Sequence, residues 1–357
     1  MSLNTKCADF SEQVFFVGLD THKSNWKTTI RTKDVVLKTF SMNPSPEQLS
    51  VYMRTNYPNG IYKSVYEAGF CGFWIHRKLT ALNFKNIIVN PADVPSTNKE
   101  RERKSDPIDS RKLSRELAND SLTGIFVPNE HQEALRCICR LFKQYTRRVT
   151  QLKNRVKGYL HFIGVNIPLQ YEGSCWSNNF LQYLSNVTCP DKLHKVVLED
   201  HINEFKHARK KKLDILKEIR KISKEVRTIG LLKTIPGVGT LTAFSLYVEI
   251  ADINRFKNLD TLASYVGLVP SIQSSDQTEI VGGLSFRHNK HLRSALVESA
   301  WVAIRHDSAL LSAYNHLVNR MDKSKAIIRI AKKLLNRIYF VWRNQSEYVK
   351  GVVEIIK

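Results

Sequence analysis

The sequence lacks any apolar run near the roughly 18 residues that a membrane-spanning helix needs, so a helical span is excluded. Its first apolar stretch, VFFVGL (14–19), is too short for a secretory core, and a protein of the cytoplasm is expected. It has no cysteine pairs of metal-binding type. The six cysteines are Cys7, Cys71, Cys137, Cys139, Cys175 and Cys189, and Cys137-Ile138-Cys139 is too tight for the usual zinc spacing, so reduced thiols are expected. There is no internal repeat and no low-complexity segment. Acids are scarce: 33 Asp and Glu stand against 55 Lys and Arg, a net charge of +22 over 357 residues. Such an excess calls for a polyanionic partner, nucleic acid first among them. With 42% hydrophobic residues the chain is a folded protein, long enough for two domains or more.

The N-terminal third reads as short strands followed by alternating helix and strand. VFFVGLD (14–20) is a buried strand, and WKTTIRT (26–32) and DVVLKTF (34–40) continue it as a meander. Ser45 caps a helix with Pro46 in its first turn. IYKSVYEA (61–68) returns as a strand, 72–82 as a helix and 85–90 as a strand, and a further helix begins near Asp106. This element order is that of the RNase H fold. From about Asn129 apolar residues recur at three and four (Leu135, Ile138, Leu141, Val149, Leu152, Val156, Leu160), separated by Arg and Lys, and the pattern returns at 215–229. Two long helices joined by the irregular segment from Gly164 to Pro190 predict an antiparallel helical arm. The remainder is expected to be mostly helical, with a polar loop at 270–290. The predicted architecture is thus α/β plus all-α: an N-terminal RNase H-like (RuvC-like) domain over 12–127, a helical coiled-coil arm over 128–229, and a C-terminal helical domain over 230–350 with a helix-hairpin-helix-like motif.

Four acids fall where that fold would gather them. Asp20 ends the first strand and Glu67 the fourth, and those strands are neighbours. Asp106 and Asp109, three apart, share one face of a helical turn. Four like charges repel unless cations hold them, and Mg²⁺ bound by carboxylates is the usual nuclease arrangement. Each acid also has a plainer reading. Asp20 would cap a turn, Glu67 would be a surface residue, and Asp106-Pro107-Ile108-Asp109 is a good helix start in its own right.

In the C-terminal part, 231–250 resembles a helix-hairpin-helix, whose Pro236-Gly237-Val238-Gly239 turn can offer Gly237 and Gly239 amides to a phosphate. The polar segment 265–293 holds Ser274 and Ser275, followed by Arg287, Lys290 and Arg293, which would bind nucleic acid. A serine hydroxyl amid cations can attack a phosphate once its proton is removed, but loop serines are common. Basic runs at 143–157, 207–212 and 323–337 are expected to lie mostly on solvated helix faces while adding to a phosphate-binding surface.

Together these pieces resemble the DEDD-type insertion-sequence transposases, a group that includes the Piv-type DNA invertases and the bridge-RNA-guided recombinases. The resemblance rests on GLDTHK (18–23), YEAGFCG (66–72), VNPADV (89–94), KSDPIDSRKLSREL (104–117), VPNEHQEALRCICR (127–140), LKNRVKGYLHFIGV (152–165), IPGVGTLTA (235–243) and ASYVGLVPSIQSS (263–275), and so on nearly the whole chain. It implies catalytic and Mg²⁺-binding roles for Asp20, Glu67, Asp106 and Asp109, and a nucleophilic role for Ser275, with Ser274 as the alternative. Two departures stand out. Asp276 follows the serine where the family usually has Gly, and Ser110 stands where it usually has Ala. The resemblance further implies double-stranded donor and target DNA, a homotetramer or dimer of dimers in which one subunit's serine completes another's metal site, and a bacterial or archaeal cytosol in contact with the nucleoid. Several relatives find targets through a structured guide RNA, which the basic helices here could hold. Against this stand a RuvC-like resolvase that hydrolyses with water, a helix-hairpin-helix glycosylase, and a catalytically inactive nucleic-acid-binding remnant.

Overall fold

The computed structural model describes residues 9–95, 106–171, 176–275 and 278–350. The chain divides between Val127 and Pro128 into two compact units.

In the first unit, strands β1 (Val14–Thr21), β2 (Trp26–Arg31), β3 (Val36–Met42), β4 (Ile61–Glu67) and β5 (Lys85–Val89) form one mixed sheet in the order β3-β2-β1-β4-β5. β1 runs antiparallel to β2 and parallel to β4, so the C-terminal ends of β1 and β4 lie side by side. Alternation along β1 fills both faces. Phe15, Val17 and Leu19 pack with Leu49 and Met53 of α1 (Pro46–Asn56) and Ile75 and Leu79 of α2 (Trp74–Ala81). Phe16 packs with Val65, Leu113 and Leu117, the last two on α3 (Asp106–Ala118). Ser45 caps α1 as the sequence predicts, accepting the Gln48 amide.

β3 starts two residues later than the sequence reading puts it. Thr32 and Val35 close a turn, with the Thr32 amide donating to the Val35 carbonyl at 2.9 Å and the Val35 amide to the Thr32 hydroxyl at 3.3 Å. Asp34 and Val35 therefore belong to the hairpin's end.

The second unit is built on two long helices, α4 (Glu130–Phe162) and α6 (Lys192–Glu225), joined through α5 (Asn178–Asn186). α4 serves two cores. Leu135 and Cys139 join the C-terminal core, whereas Val149, Leu152, Val156 and Leu160 pack on Phe180, Leu198 and Phe205. Leu141, predicted as part of the same stripe, falls between those cores and is 40% exposed. Then follow α7 (Arg227–Leu232), α8 (Thr240–Ile250), α9 (Leu259–Val266), α10 (Lys290–His306), α11 (Ser308–Val318) and α12 (Lys323–Asn344).

The expected polar loop at 270–290 is a β-hairpin over most of its length. β6 (Pro270–Ser275) pairs antiparallel with β7 (Thr278–Leu284). Alternation of apolar and polar residues, as in Ile272-Gln273 and Glu279-Ile280, favours a ladder that the surrounding serines and glycines obscure in the sequence. Among the described residues no helix is long and apolar enough to cross a membrane, and Cys71, Cys137, Cys139 and Cys189 are unpaired.

Candidate active site

Three of the four acids lie towards the C-terminal ends of two neighbouring inner strands of the sheet. Leu19 and Tyr66 are register partners on β1 and β4, which puts Asp20 and Glu67 one residue further on at adjacent strand ends. Helix α3 brings Asp109 to them because it lies directly on β1. At Gly18 a Cβ would overlap the Ser110 carbonyl and lie 2.6 Å from the Ser114 amide nitrogen, so only glycine permits this approach. The Ser110 hydroxyl is buried against Thr29 Oγ1 at 2.9 Å, and Thr29 meets Thr39 at 3.1 Å. The polar residue standing in place of alanine is thereby satisfied.

Lys112 and His22 already attend these acids. The Lys112 ammonium lies 3.5 Å from Asp109 Oδ1 and 4.0 Å from Glu67 Oε1, and its side chain is only 10% exposed. His22 Nε2 lies 3.3 Å from Asp20 Oδ2. Asp106 opens α3, but its side chain lies outside the described residues. The donor set, carboxylate oxygens partly open to solvent, suits a hard divalent ion. That Glu67 and Asp109 both turn to one ammonium shows that a positive charge is accepted between them.

Among the described residues the one group of three ligand-type side chains within 4.8 Å of one another is Asp200, His201 and Glu204 on α6. There Glu204 is engaged by Arg148 and Arg155, at 3.5 Å each, which leaves little net negative charge for an ion. Asp20, Glu67 and Asp109 are held further apart than that group.

In the second unit, β6 carries Ser274 and Ser275 at its end, where Ser275 pairs with Thr278 across the turn. The side chains of both serines lie outside the described residues. The nearby cations differ in role. Arg287 and Lys290 are exposed, and Phe286 beside them is 98% exposed, an aromatic that the sequence reading passed over. Arg293 instead turns inward and donates to the Ser285 carbonyl, against Gly267, where a Cβ would overlap its guanidinium. Lys143, in the first basic run, also turns inward and donates to the His291 carbonyl at 3.2 Å.

The Pro236–Gly239 turn joins α7 to α8 as a helical hairpin. Gly237 (φ 84°) is required by packing, since a Cβ would lie 2.8 Å from the Ala303 amide nitrogen of α10. Gly239 is exposed and leaves the α8 N-terminus without a side-chain cap.

At the C-terminal end of α8 lies a buried ionic cluster that the sequence pattern does not announce. Glu249 of α8, 1% exposed, accepts two bonds from Arg140 at 3.0 and 3.1 Å and one from Asn289 Nδ2 at 3.0 Å. Burial alone would raise its carboxyl, but the bonds and charge of Arg140, with Asn289 and Arg136, hold it below the usual carboxylate range. Asn289 also caps α10, so the cluster ties the arm's first helix to the residues that follow the serine hairpin.

Residues 17–164 match the DEDD transposase model of the IS110 type, and residues 230–315 match the transposase family named for IS116, IS110 and IS902. A putative transposase of Sinorhizobium fredii is 28% identical over 314 residues, with 81% of this chain and 78% of that protein covered. A second from the same organism is 25% identical over 236 residues, and there the chain covers 57% of the relative's length. The pilin gene-inverting protein of Moraxella bovis is 35% identical over 131 residues, 35% of this chain and 40% of that protein. The first match includes Asp20, Glu67, Asp106 and Asp109, and the second includes the serine hairpin: the chain belongs to the IS116/IS110/IS902 transposase family.

Proposed function

We propose that this transposase cuts and rejoins double-stranded DNA with Asp20, Glu67, Asp106 and Asp109 as holders of a divalent cation, Mg²⁺ by its oxygen preference, and with Ser275 as nucleophile. The observation that carries the reading is the placement of Asp20 and Glu67 at adjacent strand ends with Asp109 brought to them by α3. A bound ion there would withdraw charge from a scissile phosphate. The Ser275 Oγ–P bond forms as the P–O3′ bond breaks; the proton of the serine hydroxyl leaves to a base, and the departing O3′ takes up a proton from water or from that base's conjugate acid. The products are a phosphoserine and a free 3′-hydroxyl. Attack by the 3′-hydroxyl of another strand reverses the step, so the bond energy is kept. The serine of one copy would complete the acids of another, in a tetramer or dimer of dimers. Arg287, Lys290 and the amides near Gly237 and Gly239 would hold DNA phosphates, and exposed Phe286 would stack on a base. A guide RNA would use the remaining basic helix faces. Asp20→Asn and Asp109→Asn are expected to abolish Mg²⁺-dependent cleavage while DNA affinity stays within about twofold, measured by anisotropy. An equal loss of binding would make the acids structural instead.

A further inference from the structure

Helix α12 presents a one-signed face beside the serine hairpin. Over Lys323–Asn344 it contains no Asp or Glu. Its inner side is fully used by Ile330, Leu334 and Ile338 in the core. Its outer side borders a groove of about 810 Å³ whose opposite wall is formed by Pro270 and the Gly282-Gly283 segment of β7. The floor is apolar, with Leu259, Leu268 and Ile328, and the rim carries Lys325, Arg329, Lys332 and Lys333. Lys332 meets Asp260 at 2.9 Å, and Lys325 lies 4.0 Å from Asp322. Arg329 and Lys333 are exposed and have no acidic partner among the described residues.

A solvated helix face normally mixes signs, because pairs at four-residue spacing stabilise it. A face of cations alone repels itself and is tolerated where an anion neutralises it. Lys325, Arg329 and Lys333 follow at four-residue steps, about 6 Å apart along the axis, comparable to the separation of successive phosphates on an extended strand. The apolar floor suits the flat faces of unpaired bases, which a duplex keeps stacked inside. Gly282 and Gly283 keep the far wall low, and a Cβ at Gly283 would face open space.

We infer that this groove holds a short single-stranded stretch of DNA, phosphates along Lys325, Arg329 and Lys333 and bases on the Leu259–Leu268–Ile328 floor, adjoining the phosphate to be cut. DNA is the occupant because the groove is continuous with the active hairpin: Pro270, in its wall, is the first residue of β6, which ends at Ser275. The inference rests on the serine reading only for which polynucleotide arrives there.

The test uses the full chain carrying Ser275→Ala, so that binding is read without chemistry. A single-stranded oligodeoxynucleotide substituted with 5-iododeoxyuridine is crosslinked and the adducts are mapped. Adducts are expected within 259–270, 282–284 and 321–336. Arg329→Glu with Lys333→Glu is expected to weaken strand binding by at least about tenfold and to flatten the dependence of log K on log salt by about 1.4, at about 0.7 per phosphate contact. Gly283→Phe, which fills the groove without changing charge, should weaken binding in the same direction. Arg305→Glu with Lys221→Glu makes the same charge change on exposed residues outside the groove and should weaken binding far less. Equal losses in the two double variants, adducts confined to other regions, or an oligoribonucleotide preferred at these residues would overturn the inference. Adducts in the groove, together with failure of the wild-type chain to link covalently to DNA, would sink the serine reading and leave the groove standing.

Discussion

The α-carbon of Gly18 lies against the backbone of Ser110, so closely that no other residue fits between β1 and α3. This contact sets the height of α3 over the sheet, and with it the position of Asp109 relative to Asp20. Gly18→Val is expected to destabilise the chain by about 1–3 kcal/mol, the usual range for overpacking. DNA cleavage should fall further than the folded fraction does, because α3 must shift. Thermal melting together with cleavage per folded molecule checks this. Unchanged cleavage per folded molecule would show that the acids do not depend on the contact.

Lys112 competes with any ion for Glu67 and Asp109. Lys112→Met should lower the melting temperature without divalent metal, since two carboxylates lose a shared cation. It should also tighten Mn²⁺ binding, on the order of tenfold, and increase the rise in melting temperature on adding metal. Titration calorimetry and melting curves read both effects. If metal affinity is instead weakened, Lys112 orders the carboxylates for the ion rather than competing with it.

The Glu249 cluster makes a prediction about pH. Its carboxyl is held below the ordinary value of 4.5 in the folded chain, so the unfolded chain binds the proton first. The stabilisation is fully present above about pH 4.5 and is lost as pH falls through the depressed folded value. Arg140→Met leaves Glu249 buried without its main partner. The cost should be about 2 kcal/mol, less than the about 3–5 of a fully buried pair because Arg140 is half exposed. The deficit of the variant should narrow as pH is lowered, because a protonated Glu249 needs no cation. A deficit independent of pH between 3 and 7 (about the span in which a carboxylate titrates) would assign it to lost packing.

What the sequence could reveal was set by local pattern. Alternation in VFFVGL and the Ser45-Pro46 cap mark β1 and α1 because burial and capping act within a few residues. The acids were legible for the same reason: strand ends and a helix start are local features. Arg293 and Lys143 were read as surface cations, but what turns them inward are carbonyls at Ser285 and His291, and the sequence does not say which carbonyls lie near. Likewise the Arg140–Glu249 bond spans 109 residues, and no local pattern announces it. Lys112 was recoverable, three residues after Asp109 and on its face of the helix. The hairpin at 270–284 was missed because its serines and glycines resemble a loop until the cross-strand partners are known.

Ser275 is expected to form a covalent link to DNA. The direct measurement offers the wild-type chain, with Mg²⁺, a nicked duplex carrying the DNA that flanks its own coding region, so that the cut strand cannot be rejoined. An adduct that survives denaturation is expected, mapped by mass spectrometry to Ser275, absent from Ser275→Ala and retained by Ser274→Ala. Cleavage of the duplex with no adduct, leaving only hydrolysed ends, would contradict it.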